Sequence, residues 1–155
     1  MKKIIISLIV MTLFISGCSN NKIEHVSDVL STNLDNCSIE KDSDSHSGFM
    51  GDGAYFAKIS CSSNIEIDEW KELPLSTEIK NALEIEICDD KECMNVFDKY
   101  DIPNIENGYY YFVDRHSMAS DKKSDVDLNN RSSYNYSIGI YDSDTNYVYF
   151  YEFDS

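Results

Sequence analysis

Proline occurs twice and glycine six times in 155 residues, and neither gathers into a tract. A collagen-like or low-complexity chain is thereby excluded. Basic side chains are also scarce, with 13 Lys and Arg against 28 Asp and Glu and a formal charge of −15. Surface charge of that sign repels phosphate backbones and anionic bilayer faces, so nucleic acid is excluded as a partner. Beyond residue 18 no apolar run approaches the roughly 20 residues of a membrane-spanning helix. Apolar and aromatic residues are plentiful: 42% of the chain is hydrophobic, with 11 Tyr and 7 Phe. This is too rich for a disordered acidic tail, and the length suits one folded domain.

Met1-Lys2-Lys3 precedes Ile4 to Ile15, twelve residues in which only Ser7 and Thr12 are polar, and Ser16-Gly17-Cys18 follows. A charged start, a short apolar run and small residues behind it are the pattern of an export signal. Ile15-Ser16-Gly17-Cys18 resembles the lipobox of bacterial lipoproteins, in which signal peptidase cuts before the cysteine and the thiol is diacylated. The resemblance implies a signal peptide over residues 1–17, lipidation of Cys18 and an extracytoplasmic address at the cell envelope. Ser19 in the following position allows an outer-membrane destination where the host has one. Residues 18–22 then read as a lipidated tether and residues 23–155 as a single domain. Loss of residues 1–17 removes two lysines and leaves 138 residues with 28 acidic and 11 basic side chains, a charge of −17. Two acyl chains hold a protein stably where one would not, so the membrane is an expected partner through Cys18 alone.

With Cys18 assigned to lipid, Cys37, Cys61, Cys88 and Cys93 remain. An even count outside the cytoplasm points to two disulfides. Three pairings exist, and Cys37–Cys61 with Cys88–Cys93 is preferred because Cys88 and Cys93 share one tight turn. No pair has the two-residue separation of a zinc knuckle, so no metal and no cofactor is expected.

Ile23, Val26, Leu30 and Leu34 recur at helical spacing, which predicts a helix over 23–34. Lys41 to Gly48 reads as a polar loop and Ala54 to Cys61 as a strand. Asp68 to Glu72 reads as a short helix ended by Pro74. Ser76 caps a further helical turn carrying Ile79, Ala82 and Leu83, after which Leu83 to Ile87 alternates like a strand. Cys93, Val96, Phe97 and Tyr100 form a helical stripe stopped by Pro103. Tyr109 to Val113, Tyr134 to Tyr141 and Tyr147 to Phe153 read as strands, and Asp142 to Asn146 as the reversal that pairs the last two. Met118 to Asn130 is a polar excursion. The fold class is α+β: an antiparallel sheet with an aromatic-rich C-terminal hairpin and a few short helices packed on one face.

Nine tyrosines lie between Tyr109 and Tyr151. Alternation sends them to both faces of the strands, so a share of them, taken as Tyr109, Tyr111, Tyr149 and Tyr151, is expected to offer a binding surface for a basic protein partner. Asp114, His116 and Ser117 contain the ingredients of a hydrolase. A strand would set Asp114 and His116 on one face but Ser117 on the other, and no Gly-x-Ser-x-Gly turn is present. They remain weak catalytic candidates. Asp42, Asp44 and His46 alternate like the opening of a calcium loop, as do Asp142 and Asp144. The Gly and Glu that complete such a loop are missing, and Asx turns explain both runs.

The stretches Glu106 to Ser117 and Arg131 to Thr145 resemble a family of small exported bacterial proteins of uncharacterised activity. The resemblance runs from about Gly48 to the end of the chain and implies one domain type without any transferred site residue. Taken together these readings lead to a lipid-anchored envelope protein that binds a basic protein partner, of immunity or inhibitor type. An envelope hydrolase using Asp114, His116 and Ser117 and a passive structural lipoprotein are the alternatives.

Overall fold

Aromatic and β-branched residues dominate the last third of the chain, where side chains crowd best on a pleated surface. In the computed structural model, which describes residues 17–46, 51–85, 87, 88 and 93–155 with side chains at 22–46, 51–85 and 93–155, these segments become the centre of an antiparallel sheet. The expected signal peptide lies outside the described residues except for Gly17.

The strands are β1 (Cys37–Asp44), β2 (Gly53–Cys61), β3 (Lys71–Glu72), β4 (Ile87–Cys88), β5 (Cys93–Met94), β6 (Gly108–Asp114), β7 (Asn135–Asp142) and β8 (Tyr147–Asp154). Six form one sheet in the order β1-β2-β8-β7-β6-β3, and β4 pairs with β5 separately. β7 and β8 make the expected hairpin around residues 143–146. Asn146 there adopts φ 57, a left-handed conformation that Asn tolerates. Asp142 Oδ1 accepts from the Asp144 amide at 2.9 Å, an Asx turn that tightens the reversal.

Helix α1 (Gly17–Leu30) covers one face of the sheet, while α2 (Thr77–Glu84), α3 (Val96–Lys99) and a 3-10 turn (Leu128–Asn130) cover the other. The expected helices on one face are present, and α1 adds a layer on the opposite side. Its Val26 and Leu30, with Leu34 beyond it, pack on Tyr55, Ala57, Ile59, Tyr111 and Phe150. Gly139 in β7 lets this approach happen, since a Cβ there would meet Leu30 Cδ1 at 2.8 Å and Trp70 Cη2 at 2.9 Å. Ser76 caps α2 by accepting from the Ile79 amide, and the half-turn carries Ile79, Ala82 and Leu83 into the second core as expected.

Five local expectations are corrected. Residues 18–22, read as a tether, continue as the first turns of α1. Residues 41–44, read as loop, extend β1 along the sheet edge. Its Glu40 to Asp44 are exposed, and a register shift falls between Ile39 and Lys41, so charge and a bulge protect the edge from further pairing. Asp68 to Glu72 forms a turn followed by β3 rather than a helix, because Lys71 and Glu72 pair with Tyr110 and Tyr109. Residues 83 and 84 finish α2 instead of starting a strand, and the Cys93 to Tyr100 stripe is helical only from Val96, where Asn95 caps it.

Cys37 and Cys61 are disulfide-bonded and stand directly opposite each other in the β1–β2 ladder. Cys93 is also disulfide-bonded and faces Cys88 in the β4–β5 register. The Cys88 side chain and residues 89–92 lie outside the described residues.

Candidate functional site

The two faces of the sheet end differently at the edge where β6 and β8 stop. On the α2/α3 face Tyr110, Phe112 and Asp114 follow one another by strand alternation, and Asp114 is fully buried. Arg131 meets it with Nη1 2.9 Å from Oδ1 and Nη2 2.6 Å from Oδ2, the second contact ionic rather than a well-aligned hydrogen bond. The His116 amide donates to the same carboxylate at 3.0 Å. Asp114 therefore closes the loop that carries Arg131 and has no contact with an imidazole ring.

The His116 ring is engaged elsewhere: Nδ1 accepts from the Met118 amide at 3.1 Å, and Nε2 lies 3.1 Å from Ser133 Oγ. Ser117 is exposed. The three hydrolase candidates lie close in sequence without forming a relay, and the geometry gives Asp114 and His116 loop-fixing roles. The tyrosine surface is corrected as well. Tyr111, Tyr149 and Tyr151 are 5%, 5% and 2% exposed and belong to the two cores, and Tyr109 is half-buried. Sequence alternation located both faces correctly, but the helices on both sides turn nearly all of that aromatic area inward. Burial also raises the phenol pKa values, driven by desolvation to about 12 for Tyr55 and higher still for Tyr136 and Tyr151.

On the α1 face the strands place a polar row in register: Asp44, Tyr55, Glu152 and Ser137 stand opposite one another across β1, β2, β8 and β7. Asp154 lies two residues beyond Glu152 on the same face. Arg115 crosses this row, with Nε donating to Ser137 Oγ at 2.9 Å and Nη1 3.0 Å from Asp154 Oδ1. His46, just past β1, sets Nδ1 2.8 Å from Asp44 Oδ1 and Nε2 3.2 Å from Asp154 Oδ2. From α1, His25 Nε2 comes within 3.2 Å of Glu152 Oε2. Lys22 pairs with Asp42 at the rim. These residues enclose a pocket of about 210 Å³ lined by Lys22, His25, Asp44, His46, Tyr55 and Glu152.

Desolvation disfavours the charged His46 ring, but its hydrogen bonds to Asp44 and Asp154 outweigh that and raise its pKa above the ordinary histidine value. Burial likewise opposes charge on Asp44, and the bonds from the His46 amide and ring more than offset it, so that pKa is lowered. Of this group the sequence pattern pointed only to Asp44 and His46. Val148, Phe150, Glu152 and Asp154 share one face of β8, and that switch from apolar to acidic was the signal available for the rest.

A second concavity of about 410 Å³ lies on the opposite face between Leu73–Leu75, α2 and the segment after α3. Phe97, Ile102, Ile105 and Ile140 supply its apolar walls, with Lys80, Glu84 and Asn104 at its margin. Glu84, Asp101 and Glu106 are exposed in the segments that form it, and Lys80 is 3.6 Å from Glu84. Among the described residues no helix is long and apolar enough to cross a membrane. Neither the models of known protein families, nor curated proteins, nor solved structures match this chain.

Proposed function

We propose that this protein is a binding module of a bacterial cell envelope, held to the membrane through a diacylated Cys18, which captures a basic protein partner of immunity or inhibitor type and performs no reaction of its own. The observation that carries the reading is the apolar groove walled by Phe97, Ile102 and Ile105, with Glu84 beside Lys80 at its margin and exposed Asp101 and Glu106 in the chain segments that adjoin it. Apolar walls supply burial, and the acidic surroundings on a mature chain of charge −17 select a partner rich in Lys and Arg and speed its encounter. This groove takes the place of the tyrosines, whose rings are spent on the core.

The test uses the full chain in detergent with amphipathic peptides of matched hydrophobicity, one Lys- and Arg-rich and one acidic. The basic peptide is retained saturably, its retention falls as salt rises, and Ile102→Asp abolishes it while leaving the circular dichroism unchanged. Equal retention of the acidic peptide, or retention indifferent to salt, refutes the reading. The anchor is tested separately, since Cys18→Ala releases the protein from the membrane or blocks its processing if acyl chains alone hold it.

A further inference from the structure

We propose that the pocket between α1, the end of β1 and the end of β8 binds a divalent transition-metal ion of the zinc class, with His46, Glu152 and Asp154 as ligands and His25 joining them from α1. The proposal stands apart from the partner-binding reading and rests on a different face of the sheet.

Donor atoms of His46, Glu152 and Asp154 already lie within 4.8 Å of one another. His46 Nε2 is 3.2 Å from Asp154 Oδ2, and His25 Nε2 is 3.2 Å from Glu152 Oε2. Around a tetrahedral zinc ion with bonds of about 2.0 to 2.1 Å, neighbouring donors stand about 3.3 to 3.4 Å apart. The donors of His46, Glu152 and Asp154 are thus near the spacing that one ion requires, and His25 adjoins them through Glu152. The sheet register supplies Glu152 and Asp154 from a single face of β8, so two of the ligands sit on rigid backbone.

The outer contacts also fit a metal. Asp44 Oδ1 is 2.8 Å from His46 Nδ1, an arrangement that keeps Nδ1 as the donor to Asp44 and leaves Nε2, on the Asp154 side, as the nitrogen that would exchange its proton for a metal ion. Carboxylate support of this kind is the usual partner of a metal-bound imidazole. Arg115 touches Asp154 at 3.0 Å and Glu152 at 3.7 Å. Two fixed cations, Arg115 and Lys22, thus stand among four carboxylates, Asp42, Asp44, Glu152 and Asp154, and the balance favours a further cation.

An independent observation points to a ligand in the same space. Tyr55, 6% exposed, lines this pocket, and its hydroxyl is buried without a hydrogen-bond partner among the described residues. It lies in the field of Asp42, Asp44 and Glu152. A buried hydroxyl normally finds a partner, and a water completing the coordination of a bound ion would supply one. Imidazole with carboxylate selects zinc and its neighbours over calcium or magnesium, which prefer oxygen donors throughout. A bound ion would fasten α1 to the sheet.

The experiment titrates the full chain in detergent with Zn²⁺ and with Co²⁺, following heat and the visible cobalt spectrum. One ion binds per chain, the cobalt bands show nitrogen and oxygen ligands without thiolate charge transfer, and Ca²⁺ or Mg²⁺ does not displace it. His46→Gln and Glu152→Gln each weaken binding at least about tenfold, and Asp44→Asn weakens it by about 10- to 100-fold through the orientation of His46. Should Glu152→Gln fail to fold, His46→Gln and His25→Ala, both at solvent-accessible rings, carry the test. Absence of saturable Zn²⁺ binding, thiolate bands, or affinity unchanged in His46→Gln overturns the proposal.

Discussion

Both faces of the sheet end in an arginine–carboxylate pair at the same edge, and the two pairs behave as opposites. Asp114 and Arg131 are 1% and 11% exposed at the side chain, and no histidine ring touches them. Asp154 and Arg115 are 21% and 30% exposed and share their carboxylate with His46. The same chemistry serves closure on the α2/α3 face and stays open to exchange on the α1 face. Enclosure, rather than residue type, separates a structural pair from a reactive one.

The sharpest way to break that contrast is to remove each arginine. Arg131→Ala leaves a buried carboxylate with the His116 amide but without its counter-ion and lowers stability by about 3 to 5 kcal/mol. Arg115→Ala, at the half-open pair, lowers it by about 1 kcal/mol, as is usual for pairs in contact with water. Equal losses in chemical denaturation would erase the distinction. Reduction of Cys37–Cys61, which joins β1 to the α1-face core, removes about 3 kcal/mol in the chain-entropy picture for a loop of this separation, 24 residues. Denaturation with and without reductant, with Cys93→Ser included to separate the second bridge, measures it.

Alkaline pH tests the α2/α3 face, where Tyr136 and Tyr151 are buried. Their folded pKa values are raised by desolvation, so the folded state holds the proton that the unfolded chain releases. Their contribution is complete below the ordinary phenol pKa of about 10 and is lost above it, at about 1.4 kcal/mol per group one unit higher. Phenolate absorbance from these two rings should appear together with unfolding, whereas early ionisation in folded protein would show the face to be open. The smallest effect belongs to His116→Ala, within about 1 kcal/mol, because its ring holds only loop contacts to Ser133 and Met118. A larger loss would mean that the loop closure depends on more than Asp114 and Arg131.

Much of the fold was legible wherever burial and local preference agree. Tyr109 to Val113, Tyr134 to Tyr141 and Tyr147 to Phe153 are strands because their residues suit a crowded sheet, and Ser76 marks α2 because its hydroxyl serves the helix end. β1 was hidden by its own edge protection, since Lys41 to Asp44 are polar for the reason that they face water. Trp70 looked helical in its local setting but is held by tertiary contacts, donating from Nε1 to Thr32 Oγ1 at 2.7 Å. The candidate site was legible only in part. Asp42, Asp44 and His46 stood out only as an alternating run of the kind Asx turns explain, while Glu152, Asp154 and His25 join them through register and through the docking of α1, neither of which a linear pattern displays.

The Cys37–Cys61 bridge has a mechanical consequence. Tension entering through α1 reaches β1 at Cys37, the first residue of that strand, and would separate β1 from β2 one pair at a time, as a zip opens from its end. The covalent link sits at that first rung. Force must then load the whole ladder in parallel, or pass by way of Cys61 into β2, which is flanked by β1 and β8. A pulling trace should show α1 detach at low force and the sheet give way in one step, with a gradual opening of β1 only after reduction.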